Sequence, residues 1–406
     1  MKKLIYIILL LVVVGNLIRI PLTGTTSILI ADIILPFILA FGTMDIIQNK
    51  RKIPVSAISF PIIFLWIIMG ISLLYGVQML SLGTMEVFTS FLYFLRFIEY
   101  SALFFFIPLY FPSEQEKEKL FDTSIYGGIA VAILGYLQYI FYPDFTQMAI
   151  KYGWDPHIDR LLSTFYDPNF VGGFLGIIVI LILSQLLTNN YDKKQILTKL
   201  FWILIILGAI GLTFSRSSYL ALVIGLMMIA LIRAPWIIVI GILVGSFGIY
   251  NSEKMQERIA GAFAFDATSQ LRVQSWIEST QPLKHSPFLG VGYNTLKHVQ
   301  DQLGTAAAGK NSGSGSESSL LTIAVTTGPL GLIIFFWIYF RTWIESFRIQ
   351  KPYTPASPLQ KTLALSLSAI IPLLFVHSWF VNDLFYAFIM TYIFLLFSLF
   401  WFSKKQ

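Results

Sequence analysis

The sequence predicts an all-α polytopic membrane protein with about twelve transmembrane helices. Three observations predict it. The 406-residue chain is 56% hydrophobic and only 12% charged, where soluble chains carry about 25% charge. Its apolar runs are long and lack the residue-by-residue alternation of barrel strands, so they read as helices. Lys and Arg also cluster in alternate connectors, as the positive-inside rule requires.

The elements follow in order. Apolar runs lie at 4–20, 26–47, 56–76, 86–110, 121–142 and 169–187, and then at 197–213, 217–232, 235–250, 319–340, 361–380 and 383–402. At about 1.5 Å per residue, each crosses or nearly crosses a core of about 30 Å. Lys2-Lys3 followed by an apolar run resembles a signal peptide, but Asn16 and Arg19 end the run without a small-residue cleavage site. It therefore reads as a retained first span.

The basic connectors are 48–52, 112–119, 189–199, the Arg233 turn and 341–361, and both termini carry Lys (Lys2-Lys3 and Lys404-Lys405). The connectors poor in Lys are 21–25, 77–85, 143–168, 214–216, 251–318 and 377–382. This alternation predicts cytoplasmic termini and an inner-membrane, multi-pass protein. It also places a large loop, 251–318, and a smaller one, 143–168, outside the cytoplasm within a single membrane domain, 1–406. The Gly/Ser-rich stretch Thr305–Ser316 reads as a mobile lid.

Several function classes are excluded at once. The chain has no cysteine, which removes disulfides, thiolate nucleophiles and Cys-based metal centres. His157, His298 and His377 read as isolated, and neither HExxH nor DxD spacing occurs, so no metal site and no cofactor is expected. The net charge of +7 is largely topological, and no basic patch interleaved with aromatics points to nucleic acid.

Four segments carry candidate chemistry. Phe165-Tyr166-Asp167-Pro168-Asn169 opens the sixth span, with Asp167 or Asn169 as its cap and Pro168 in the first turn. Thr213-Phe214-Ser215-Arg216-Ser217-Ser218 sets Arg216 where a span begins. It is either a snorkelling interfacial Arg behind a Ser cap or, with Ser217 and the helix-start amides, an anion site. Arg272 and Trp276 share a helix face, and the following His285-Ser286-Pro287-Phe288-Leu289-Gly290-Val291-Gly292 reads as a tight, backbone-exposed turn. Glu317 at the mouth of the tenth span is either a helix-start acid or a general base. Within the fourth span, Arg96 and Glu99 are spaced to neutralise each other. The smaller external loop adds Trp154, Asp155, His157 and Arg160.

Taken in order, Asp167-Pro168-Asn169, Ser215-Arg216-Ser217, Arg272 with Trp276 and the Pro-x-x-Gly-x-Gly of 287–292, and Glu317–Leu321 with Gly328 and Gly331 resemble the O-antigen ligase / O-antigen polymerase family of membrane glycosyltransferases. The motifs span about residues 160–335, and the large external loop before the third-last span fits the family's architecture. The resemblance implies a glycan donor carried on undecaprenyl diphosphate, a glycan acceptor and no cofactor or metal. It also leaves room for contacts with other polysaccharide-assembly proteins.

On that resemblance Arg216, Arg272 and Ser217 bind the diphosphate, Glu317 activates the acceptor, and Asp167, Asn169, Trp276, His285 and Arg160 line the substrate. Ligases of the family have His-Asn where this chain has Glu317-Ser318, which tilts the expectation towards a polysaccharide polymerase. The alternatives are a ligase acting on another acceptor and, from a different class, a polysaccharide or lipid transporter. A transporter needs charges through several spans, whereas the intramembrane charges here are few: Asp32, Arg96 and Glu99.

Overall fold

The computed structural model describes residues 1–23, 26–80, 82–152, 155–264, 267–284, 286–304 and 315–403. Among them the chain is almost entirely helical. In order it forms α1 (Lys2–Val14), the hairpin of β1 (Arg19–Thr23) and β2 (Thr26–Leu29), α2 (Ile30–Gln48), α3 (Ser59–Leu80), α4 (Thr84–Tyr110) and α5 (Glu114–Phe141). There follow α6 (Thr146–Tyr152), α7 (Pro168–Thr188), α8 (Lys193–Leu212), α9 (Arg216–Ile232) and α10 (Trp236–Tyr250). The remainder comprises α11 (Glu253–Phe263), α12 (Ala267–Thr280), α13 (Leu296–Leu303), α14 (Ser319–Ile349), α15 (Pro358–Phe380) and α16 (Ala387–Phe402).

Each expected span overlaps a helix, but the count differs from twelve. Eight helices, α2–α5, α7, α8, α14 and α15, are long and apolar enough to cross a bilayer by themselves. The α10–α11 pair passes only as one span bent by 108°, and α9 and α16 are apolar but shorter. The first expected span, 4–20, is the clearest difference. Its helix stops at Val14, and the chain turns into a two-stranded antiparallel hairpin that pairs Arg19 with Leu29 and Ile20 with Ile28. The hairpin also takes the first four residues of the expected second span.

The helix starts follow from local chemistry. Asp167 accepts from the N–H groups of Asn169 (2.7 Å) and Phe170 (3.0 Å), with Pro168 opening α7 where no N–H is needed. Asp192 and Gln195 form a reciprocal capping box on α8. Burial is greatest in α7, α15 and α16, which form the centre of the bundle, while α2 and α8 sit at its rim. Rim helices keep large apolar side chains such as Phe37, Phe41, Phe60 and Leu204 exposed, as a surface facing lipid tails does.

A charge expected to be settled within α4 is settled elsewhere. Arg96 does not pair with Glu99. Its Nε donates to Asp32 Oδ1 at 3.0 Å, Nη2 bonds the other carboxylate oxygen, and Nη2 also donates to the Ser27 carbonyl at 3.1 Å. The two-pronged match of guanidinium to carboxylate is the stronger arrangement, and it ties α4 to the hairpin and α2.

The second difference is a broken helix. Gly328 interrupts α14 with φ 69° and ψ −173°, and Pro329 follows it. Proline has no N–H to give to the carbonyl four residues back, Val325, and the non-helical Gly328 releases the next carbonyl as well. Those two oxygens are satisfied by the large loop: Val291 N–H donates to Val325 O at 3.0 Å and Gly292 N–H to Thr326 O at 3.1 Å. The first half of the Pro-x-x-Gly-x-Gly turn is exposed, at Pro287, Phe288 and Leu289, but the second half is not. Gly290 is buried, and Val291 and Gly292 are buried and hydrogen-bonded inside the bundle.

Candidate functional site

The loops that carry the four motifs meet around the C-terminal end of α15. The first two motifs touch directly: Ser215, which caps α9, donates its Oγ proton to Asn169 Oδ1 at 2.7 Å. Arg216 is the first residue of α9 and is half-buried, whereas Ser217 is buried with its Oγ 3.2 Å from Ser215 Oγ. Arg160 closes the turn from the smaller loop. Its Nε donates to Thr213 O at 2.8 Å and its Nη2 to Phe214 O at 3.3 Å, satisfying carbonyls at the end of α8.

Arg272 and Trp276 do share one face of α12, and that face packs on α15. The Trp276 ring lies 5.7 Å from Trp379 and 6.0 Å from Phe380, and the Arg272 guanidinium sits 5.8 Å from the Phe380 ring. On its other side Arg272 Nε is 3.7 Å from Glu317 Oε2. Glu317 stands just before Ser318, the residue that caps α14 by accepting from Leu321 N–H. Ser318 Oγ donates to the Ser378 carbonyl at 3.1 Å, which fixes the start of α14 to the end of α15. The expected base and one of the two expected diphosphate cations are thus neighbours.

Charged groups of both signs crowd together around these residues. Burial, followed by the nearby Arg258 guanidinium, pulls Arg160 down to about 10, and Arg272 adds to the same repulsion. Arg160, Arg258 and Arg272 therefore share one region with the carboxylates of Asp155, Asp167 and Glu317. Burial, and then the Asp167 charge, raise Asp155. Burial likewise holds His157 below its ordinary range in spite of Asp167, whose carboxylate is 4.0 Å from its Nε2. Burial wins that contest, so the contact involves a neutral ring at neutral pH and is no ion pair.

A cavity of about 150 Å³ is lined by Tyr93, Arg96, Tyr293, Asn294, Thr322, Asn382, Phe385 and Met390. Asn382 Oδ1 is buried there with no hydrogen-bond partner among the described residues. Tyr293 and Asn294 directly follow the Gly-x-Gly turn, so docking of that turn into the broken α14 is what sets them in the cavity wall. Aromatic faces with an unpaired amide oxygen suit a polyhydroxylated ring better than a lipid tail.

Sequence reasoning missed several of these residues. Arg258 had no motif around it, and its place beside Arg160 comes from α11 folding back over the α8–α9 turn. None of the three histidines read as isolated is so. His157 faces Asp167, His298 Nδ1 lies 3.5 Å from Glu86 Oε1, and His377 Nδ1 lies 2.6 Å from Asp383 Oδ2. Only the His377–Asp383 spacing offered a local signal. His285 and Trp154, most of the Gly/Ser-rich stretch and Lys404-Lys405 lie outside the described residues.

No curated protein matches the chain. A family model described as O-Antigen ligase matches residues 200–336, about a third of the chain, which include Arg216, Arg258, Arg272, the Gly-x-Gly turn, Glu317 and the break in α14. Over that stretch the chain is similar to the O-antigen ligase family.

Proposed function

We propose that the protein is a polysaccharide polymerase of the cytoplasmic membrane, extending a glycan at the outer face with undecaprenyl-diphosphate-linked oligosaccharide as donor. The observation that carries this reading is the Arg272–Glu317 contact, 3.7 Å long, at the bundle end that also holds Arg216, Arg160 and Arg258. A cluster of guanidinium groups suits a diphosphate.

The reaction balances without a metal. Glu317 takes the proton of an acceptor hydroxyl, whose oxygen attacks the anomeric carbon of the donor. The bond from that carbon to the diphosphate oxygen breaks, and the leaving diphosphate departs with the electron pair. Arg216 and Arg272 neutralise it as its charge grows. A single displacement inverts the anomeric carbon. Before the donor binds, Arg272 holds Glu317; the diphosphate then competes for the same guanidinium and leaves the carboxylate free to act. The cavity beside Asn382 gives one sugar ring a seat.

The test is extension of a lipid-diphosphate-linked glycan by purified protein without vesicles, which also removes transport as the primary activity. Arg216→Ala and Arg272→Ala are each expected to abolish extension while the protein stays folded, a loss of roughly 3 kcal/mol or more of transition-state stabilisation. Glu317→Gln is expected to be far worse than Glu317→Asp. Normal polymer length from either Arg variant, or equal activity of all three residues at 317, sinks the assignment. A second reading, a ligase moving the glycan to another acceptor, has the description of the matched family in its favour. Short repeats in a deletion strain support the polymerase, and lost attachment supports the ligase.

A further inference from the structure

His377 is a wholly buried titratable group that the reaction above does not use. It sits in the last turn of α15, with Nδ1 2.6 Å from Asp383 Oδ2 and both side chains fully buried. The opposite ring edge presents Nε2 to Ser218 Oγ at 3.3 Å. Ser218 Oγ is 2.9 Å from Ser215 Oγ, and Ser215 in turn bonds Asn169. The second oxygen of Asp383, Oδ1, accepts from Ser319 Oγ at 3.4 Å, and Leu384 N–H donates to the same Ser319 oxygen at 3.0 Å. One unbroken polar chain thus runs from the turn that carries Arg216, through His377 and Asp383, to the helix start that follows Glu317.

The surrounding helix leaves room for this chain and for nothing larger. A Cβ on Gly173 of α7 would lie 2.6 Å from His377 Cε1, and one on Gly172 would lie 2.4 Å from Ser218 Oγ. Two successive glycines therefore let the imidazole and the serine lie directly on the α7 backbone. A buried His–Asp pair is a poor way to gain stability, because apolar residues of the same volume do as well or better. A satisfied polar network does, however, hold several segments in one arrangement.

We propose that His377, held by Asp383, is a positioning residue that registers Arg216 against Glu317. It cannot touch substrate, being fully enclosed. It acts through Ser218 on the turn that aims Arg216, and through Asp383 and Ser319 on the helix start that aims Glu317. This rests on the proposed roles of those two residues.

The experiment measures kcat and KM for the lipid-linked donor, with thermal stability, on full-length protein in nanodiscs. The variant His377→Leu combined with Asp383→Leu removes the polar link without stranding a charge. Gly173→Ala pushes on the imidazole from the opposite side. Both are expected to lower kcat by tens-fold to about a hundredfold, with KM changed far less and the thermal midpoint retained. His377→Gln, whose amide reaches Ser218, is expected to recover much of the loss.

Wild-type kcat in the double variant and in Gly173→Ala, with Arg216→Ala inactive, overturns the positioning role and leaves the proposed reaction standing. Full activity of Arg216→Ala overturns the reaction itself. Where the double variant fails to fold, Gly173→Ala and Ser218→Ala decide, and wild-type kcat in both overturns the proposal.

Discussion

Replacing Gly290 by Ala tests how the large loop is held in the bundle. Gly290 has φ 70°, and a Cβ there would lie 2.5 Å from both the carbonyl carbon and oxygen of Thr326 and 2.6 Å from Val325 O. These are backbone atoms of a packed helix, so they cannot move aside as a side-chain tip can. A left-handed backbone costs an L-residue about 1–2 kcal/mol before any overlap. Relief of the overlap requires the turn to lift away. That breaks the bonds from Val291 to Val325 O and from Gly292 to Thr326 O, each worth about 1 kcal/mol net. The left-handed cost therefore shifts the equilibrium towards undocking by about 1–2 kcal/mol, and the overlap adds to it, while the two bonds lost oppose it.

Amide hydrogen exchange reads this directly, since every 1.4 kcal/mol is about tenfold in an equilibrium. The amides of Val291 and Gly292 are expected to lose about tenfold or more of their protection. Leu289→Ala, at a side chain that is 41% exposed, is the control and should change little. Glycan extension should fall with the docking, because Tyr293 and Asn294 leave the cavity wall. Unchanged protection and activity in Gly290→Ala would refute the view that the broken α14 is completed by the loop.

Two further outcomes follow from ion pairs and burial. Arg96→Ala leaves Asp32 buried without its guanidinium and should cost about 3–5 kcal/mol in reversible unfolding, whereas Arg96→Leu with Asp32→Leu should cost much less; equal losses would contradict the pairing. His157, held below its ordinary value by burial, binds a proton more readily unfolded than folded. Its neutral form is compatible with the fold above the unfolded value of about 6.5, and stability is lost as pH falls below that. The wild-type thermal midpoint should drop from pH 7 towards pH 5 more steeply than that of His157→Gln, and parallel profiles would remove His157 from the account.

The parts of this molecule that are legible in its sequence are those written locally. Long apolar runs give helices, and the cap at Asp167 with Pro168 is visible as a spacing. Arg272 and Trp276 sit four residues apart and do share a face. The partners across the fold are not legible. Arg96 has Glu99 within one helical turn but takes Asp32, 64 residues away, because only that carboxylate meets both arms of the guanidinium. Ser218 and His377 are 159 residues apart, and nothing in the period of either helix announces that two glycines on a third helix bring them together. The expected span 319–340 runs through Gly328-Pro329 without a break, yet the helix is interrupted there. Only the packed structure shows that the carbonyls the break releases receive the Gly-x-Gly turn.

That consequence changes what the large loop is for. A loop that merely covered a bundle would be free to carry Arg272 anywhere over its surface. Here the loop is anchored twice. Its Gly-x-Gly turn is bonded into the break of α14, and its Trp276 is wedged against Trp379 and Phe380 at the end of α15. Arg272 stands one helical turn before the Trp276 anchor on α12, and the start of α14, where Glu317 stands, is bonded to the same end of α15 through Ser318 and Ser378. The proposed cation for the leaving group and the proposed base therefore stand at one corner of the bundle. A fixed pair suits a reaction whose barrier falls mainly through preorganised charge, since groups already in place need no reorganisation as the diphosphate leaves. The same fixity means that specificity for the sugar has to come from elsewhere, and the cavity with the unpaired Asn382 oxygen and two tyrosines is where it would be read.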